Sequence, residues 1–154
     1  MKTHIYYTKL EWSGNKGLGT QSYKVYDRSF EVGADGKPAI SGSSDPSFSG
    51  DPTKHNPEEM LLMALSSCHM LWFLHLCAVN KIIVEEYYDN ASGIMNENPD
   101  GSGEFVEVTL KPSVVVSSGD TSLAEHLHDR ANKLCFISRS VNFLVKQQAT
   151  IRLG

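Results

Sequence analysis

The chain has 154 residues, with 14 Lys and Arg against 18 Asp and Glu for a formal net charge of −4. This length predicts one domain, residues 1–154, since two domains of half the size would each bury too little surface to stand alone. The charges are scattered, with neither a basic stripe nor an acidic tail, which argues against nucleic acid as a partner.

The first residues, Met1 to Tyr7, run into a polar-alternating segment without the apolar core and small-residue cleavage site of a secretory signal. Cytoplasmic localisation is the expectation. Three cysteines, an odd number at irregular spacing, predict reduced thiols rather than a disulfide framework.

In chain order, Tyr6, Thr8, Leu10 and Trp12 share one face of a period-2 segment, and Ser13 to Gly17 break it. Strand pieces are predicted around Tyr23, Val25, Phe30 and Val32, forming an N-terminal hairpin or meander. From Gly33 to His55 the composition turns to Gly, Ser, Pro and Asp, which reads as a long loop. A helix start follows: Asn56 as N-cap, Pro57 at the first helical position, and Glu59 where a capping-box side chain reaches back.

That helix is expected to end near Asn80, and from Met60 to Asn80 it carries no Asp, Glu, Lys or Arg. The length approaches a bilayer span. Ser66, Ser67, His69, His75 and Asn80 raise the insertion cost, and the flanks give no strong positive-inside signal, so a membrane span is not the expectation. A helix apolar all round is more simply surrounded by protein, and a domain this small predicts a second copy to cover it.

Residues 81–88 read as a strand, and Asn96 to Gly103 as a turn-rich break. Val106, Val108 and Leu110 alternate with Glu107, Thr109 and Lys111 as a half-buried strand. Pro112 predicts an edge or bulge before Val114 and Val116. Ser122 with Glu125 matches a capping box leading Leu123, Leu127, Ala131 and Leu134 along one face, which puts Cys135 at the end of the second helix. Val141 to Leu153 is strand-like again.

Cys68 lies mid-helix, away from the helix N-terminus that favours a thiolate, and apolar surroundings disfavour its ionisation. By itself it is expected to be an unreactive core thiol, and reactivity requires a cation or donor from elsewhere in the fold. Cys77, nine residues on, falls on the opposite side of the helix and cannot pair with it locally. Cys135 on a second helix can approach Cys68 if the two helices pack.

Asn56-Pro57-Glu58-Glu59, Ser66-Ser67-Cys68-His69, and Cys135 ahead of Ile137-Ser138 together resemble the two cysteine motifs of the OsmC/Ohr family of thiol-dependent hydroperoxide reductases. The ten-residue spacing from Glu58 to Cys68 and the order strands, helix, strands, helix, strand fit as well. The resemblance implies an α+β fold, with antiparallel sheets around two long central helices in an intertwined homodimer. It further implies that Cys68 is the peroxidatic thiol, Cys135 the resolving thiol, and Glu58 part of the network orienting an activating arginine. Implied substrates are organic hydroperoxides, and the implied reductant is an external dithiol such as one of the lipoyl type. No metal, haem or flavin is implied.

Arg28 is the arginine this chain has ahead of Cys68, and Lys54 and His55 are weaker substitutes for it. The expected function is therefore a thiol peroxidase. Its alternatives are a non-catalytic relative binding a small apolar ligand in the dimer cleft, and a thiol redox sensor. Helical spacing argues against a metal site among Cys68, His69, His75 and Cys77. Glu125, His126, His128 and Asp129 read as a solvated face. Trp12, Met70, Trp72 and Phe73 are expected to build core or to line an apolar pocket.

Overall fold

The structure is a computed structural model that describes residues 2–154. The chain divides into two compact units, Met1–Met60 and Leu61–Gly154.

In the first unit, β1 (Lys9–Trp12), β2 (Phe30–Gly33) and β3 (Ile40–Gly42) form an antiparallel sheet with β2 in the middle. Leu10 lies opposite Val32, and Trp12 opposite Phe30. The expected strand pieces at Tyr23 and Val25 are turns instead. Asn15 Oδ1 accepts from the backbone N–H of both Gly17 and Gly19, and Val25 N–H donates to the Ser22 carbonyl, so local bonds replace a ladder. The segment read as a long loop carries β3 and a 3-10 turn, Pro46–Phe48, whose cap Asp45 accepts from Ser47 N at 2.7 Å.

Helix α1 (Pro57–Val79) begins where its cap residues predict. Asn56 Oδ1 accepts from Glu59 N at 2.8 Å, while Glu59 Oε2 accepts from Asn56 N at 3.3 Å, closing a reciprocal capping box. Such a cap contributes about 1 kcal/mol. At the other end, Lys81 N–H bonds to the Ala78 carbonyl and Ile82 N–H to the Cys77 carbonyl, the two bonds of a Schellman motif. The left-handed position is filled by Lys81, with φ of 60°, rather than by glycine.

The rest of the second unit comprises β4 (Ile83–Asp89), β5 (Ser92–Glu97), β6 (Gly103–Leu110), β7 (Pro112–Ser118), α2 (Thr121–Leu134), β8 (Leu144–Gln147) and β9 (Thr150–Leu153). They form two sheets of order β4-β7-β9 and β5-β6-β8. The hairpin pairs β4–β7 and β5–β6 are antiparallel, but β6–β8 and β7–β9 run parallel, so the sheets are mixed. Pro112 is the first residue of β7, a place where its missing N–H breaks no interior ladder. Strand β5 carries no strong sequence signal, and every residue in it is exposed. Its turn into β6 is built by Asp100, whose carboxylate accepts from both the N–H and the hydroxyl of Ser102.

Gly119, with φ of 111°, makes the turn from β7 to α2 against Ile82. Asp120 then caps α2 by accepting from Leu123 N at 3.0 Å, so the predicted box between Ser122 and Glu125 is not the start signal. The nearer carboxylate reaches the free N–H groups first, and the helix begins one residue before Ser122.

Two clusters make the core of this unit. In the larger one, Phe73, Leu76 and Cys77 of α1 meet Ile82, Val114 and Val116, together with Ala124, Leu127 and Ala131 of α2. The smaller joins Leu65 of α1 to Val108, Leu110 and Val145. Fully buried side chains such as Phe73 and Leu65 each contribute about 2 kcal/mol. The opposite face of α1 is uncovered in the single chain: Leu71 is 63% exposed and Val79 62%, with Met63 on the same side. With a mean hydropathy of 1.6, this helix is long and apolar enough to cross a membrane by length and composition alone.

Candidate active site

Cys68 sits in the middle of α1, between the buried face and the open one, and is partly exposed. Cys135 is the C-cap of α2 and is buried, and its backbone N–H closes the helix on the Ala131 carbonyl at 2.8 Å. Packing of the two helices makes Cys68 an electrostatic neighbour of Cys135, and both thiols are free.

Burial first, and the neighbouring Cys68 second, push the Cys135 thiol up to about 11. Cys135 therefore keeps its proton at neutral pH. Ser138 N–H donates to Cys135 Sγ at 3.3 Å, and Ser138 Oγ in turn donates to Asn132 Oδ1 at 2.9 Å. The 3-10 turn Ser138–Ser140 thus fixes the second sulfur from behind. On the α1 side, Ser66 Oγ donates to Asp89 Oδ2 at 2.5 Å, tying the turn that carries Cys68 to β4. Asp89 is held in place because its other oxygen accepts from Lys111 N at 2.7 Å.

A pair of histidines, not anticipated as such, lies next to the thiols. His69 and His128 are 0% and 2% exposed, with His69 Nε2 and His128 Nδ1 3.0 Å apart in a single hydrogen bond. Their planes are 6° from parallel, and Phe73 stacks on the His128 ring at 3.9 Å between centroids. Burial drives His69 down to about 4, against a small upward pull from Asp89. Burial and the neighbouring His69 bring His128 down to about 3. Both rings are therefore neutral at pH 7.

The expectation that His128 lies on a solvated face is corrected here. Its place beside Ala124, Leu127, Ala131 and Cys135 puts it in the buried stripe of α2 at helical spacing. That register was the available signal, and the flanking Glu125, His126 and Asp129 masked it.

Cys77 is buried in the larger core cluster, its thiol pushed up to about 11 by burial, and it belongs to packing. Phe73 is likewise core, whereas Trp72 is partly buried and meets Phe136 edge-on at 5.7 Å. Trp12, in the first unit, donates from its indole N–H to the Asp27 carbonyl at 2.8 Å. No cluster of three or more metal-ligating side chains occurs among the described residues.

Arg28 and Glu58 fall in the first unit. Arg28 precedes β2 rather than lying in a strand. Its two terminal nitrogens donate to the carbonyls of Tyr26 at 2.6 Å and Tyr23 at 2.5 Å, and its guanidinium stacks over both tyrosine rings. Its Nε is buried without a partner, as is Glu58 Oε2, and no ion pair joins the two among the described residues. A polar cavity of about 280 Å³ beside Arg28 is lined by Ser29, Ser43, Ser49 and Asp51. Lys54 donates to Ser29 Oγ at 3.0 Å, and His55 lies 3.5 Å from the Glu59 carboxylate.

Residues 50–148 match the family model described as OsmC-like protein. The chain belongs to the OsmC-like protein family. Among solved structures, an OsmC-like protein of unknown function from Vibrio cholerae is 31% identical and superposes with a TM-score of 0.86, over 96% of this chain and all of the other. An organic hydroperoxide resistance protein from Elizabethkingia anophelis covers both chains fully at 18% identity and a TM-score of 0.68, a likeness of fold. The uncharacterized protein YmaD of Bacillus subtilis is 27% identical over 100% of this chain and 99% of its own length. The OsmC-like match spans both cysteines, both helices and the histidine pair, and the α+β fold agrees with these relatives.

Proposed function

We propose that this OsmC-like protein is a thiol peroxidase that reduces organic hydroperoxides through Cys68 and Cys135. The reading is carried by the mutual reach of the two thiols across α1 and α2, and it is supported by structural neighbours described as organic hydroperoxide resistance proteins.

In the proposed cycle, the Cys68 thiolate attacks the distal oxygen of ROOH. The O–O bond breaks, a sulfenic acid forms on Cys68, and the departing alkoxide takes up a proton to leave as ROH. The Cys135 sulfur then attacks the sulfenic sulfur. A disulfide forms and water departs, carrying the sulfenic oxygen and the Cys135 proton. An external dithiol restores both thiols by exchange, becoming a disulfide itself. Ser138 N–H, already on the Cys135 sulfur, supports negative charge there as the proton leaves.

The uncovered face of α1 fits a homodimer, in which each copy shields Met63, Leu71 and Val79 of the other. Ser67 and His75 on the same face make a second protein copy a better cover than lipid. In solution, light scattering is expected to return twice the 17.0 kDa chain mass, and a monomer would contradict the dimer.

Within this proposal Arg28 is the activating cation and Glu58 its orienting carboxylate. The pH profile of Cys68 alkylation in Arg28→Ala tests that assignment, since an unchanged profile removes Arg28 from the role. The activity itself is tested by mixing the protein with cumene hydroperoxide and dihydrolipoamide. Consumption is expected only with protein and dithiol together. Absence of consumption, with a Cys68–Cys135 disulfide still formed, would reassign the pair to redox sensing.

A further inference from the structure

The histidine pair is costly for what it contributes to stability. Each imidazole is fully buried and gains one hydrogen bond, while His69 Nδ1 and His128 Nε2 are buried without partners. Whichever ring donates the shared proton, one outer nitrogen carries an N–H that has no acceptor. Two apolar side chains of the same shape would fill this space at no loss, because replacing both partners of a buried hydrogen bond is close to neutral. What apolar contact cannot supply is direction.

The bond joins the two helices that bear the thiols. His69 directly follows Cys68 on α1, and His128 precedes Cys135 by seven residues on α2. Seven residues are two turns, so His128 and Cys135 lie on one face of α2 about 10 Å apart along its axis. Ala124, Leu127 and Ala131 hold α2 against α1 by apolar packing, which has no preferred direction. A directional contact two turns from Cys135 fixes its rotation about α1, and the Phe73 ring stacked on His128 limits how far the imidazole can swing.

We propose that the His69–His128 hydrogen bond is a positioning clamp that sets the approach of the Cys135 sulfur to Cys68, without either histidine entering the chemistry. The inference rests on the thiol cycle proposed above. The step it governs is disulfide closure, in which two neighbouring sulfurs must reach about 2.05 Å with a dihedral near 90°. The earlier attack on the hydroperoxide uses Cys68 alone and does not depend on where α2 sits.

The test separates those two steps. His128→Phe keeps a ring stacked on Phe73 but removes the bond, and His128→Gln offers His69 an amide in its place. Reduced protein is mixed with one equivalent of cumene hydroperoxide, and hydroperoxide loss, dimedone-trapped Cys68 sulfenic acid and disulfide are followed together. In His128→Phe, disulfide closure is expected to slow roughly 10-fold or more, the scale of a misplaced reacting pair. Sulfenic acid accumulates, hydroperoxide loss stays within about 2-fold of wild type, and His128→Gln recovers most of the closure rate. Should His128→Phe fail to fold, His69→Phe provides the same comparison from the other helix. Closure at the wild-type rate in a folded Phe variant overturns the clamp while leaving the cycle standing. A wild-type protein that loses hydroperoxide but never forms the disulfide overturns the resolving role of Cys135 and the clamp with it.

Discussion

Replacing Cys68 with Ser is expected to lower dithiol-dependent consumption of cumene hydroperoxide by a factor on the order of 10³ or more, because the variant lacks the atom that accepts the peroxide oxygen. Cys135→Ser should behave differently. It retains the nucleophile, so the first equivalent of hydroperoxide is consumed and a sulfenic acid persists on Cys68 long enough to be trapped by dimedone. Steady-state turnover then falls because no neighbouring thiol removes that acid. Cys77→Ser serves as the control: its thiol is buried among Phe73, Leu76 and Val114 with its ionisation disfavoured, and its loss leaves turnover at the wild-type level. Turnover in Cys68→Ser equal to wild type would remove the mechanism.

Acid should destabilise the fold well above the range in which carboxylates titrate. His69 and His128 stay neutral in the folded protein down to about 4 and about 3, whereas in the unfolded chain a histidine protonates near 6.5. Between those values the unfolded chain binds more protons, so unfolding free energy falls as pH falls. The stabilising contribution is fully present above pH 6.5 and is lost progressively toward pH 4.

By pH 5 the loss is on the order of 2 kcal/mol for each histidine. The groups around the pair do not reverse the sign. Asp89 on β4 pulls His69 upward, but less than burial pushes it down, and burial pushes the Tyr87 phenol on the same strand further up, so it stays neutral. Asp45, Asp51, Asp100 and Glu107 are held below their usual range, so their contributions disappear only in stronger acid. Urea midpoints at pH 7 and pH 5 measure the effect, and His128→Phe should halve the difference between them. A midpoint that does not move between these pH values would contradict the buried neutral pair.

The legible parts of the fold were those whose signals are local. Asn56, Pro57 and Glu59 announced α1 because all three act through bonds within one helical turn, and those bonds are the ones present. The alternation from Val106 to Leu110 marks β6 as a strand but not its burial, since Val106 is exposed while Val108, Thr109 and Leu110 are all buried where the strand enters the core. Strand β5 was missed because its residues, exposed on both faces, carry no alternation, and its existence depends on pairing with β6. The parallel pairing of β8 and β9 was equally invisible, since register between distant segments leaves no mark on either one alone.

At the site, the cysteines are legible through their motifs, and their nearness is a long-range property that spacing could only permit. Arg28 sits ahead of β2, anchored on two tyrosine carbonyls that its position in the sequence gives no sign of. The histidine pair was overlooked because each partner looked ordinary in its own helix. Neither His69 nor His128 means much until the fold brings these two residues, 59 positions apart in sequence, to 3.0 Å.

The most direct measurement is a peptide map of the reduced wild-type protein after one equivalent of cumene hydroperoxide, run without reductant. The expected result is one new species, a peptide pair joined through Cys68 and Cys135 and lighter by two hydrogens, with Cys77 unmodified. Oxidation that settles on Cys77, or a Cys68 that stays a thiol while the hydroperoxide is consumed, would contradict it.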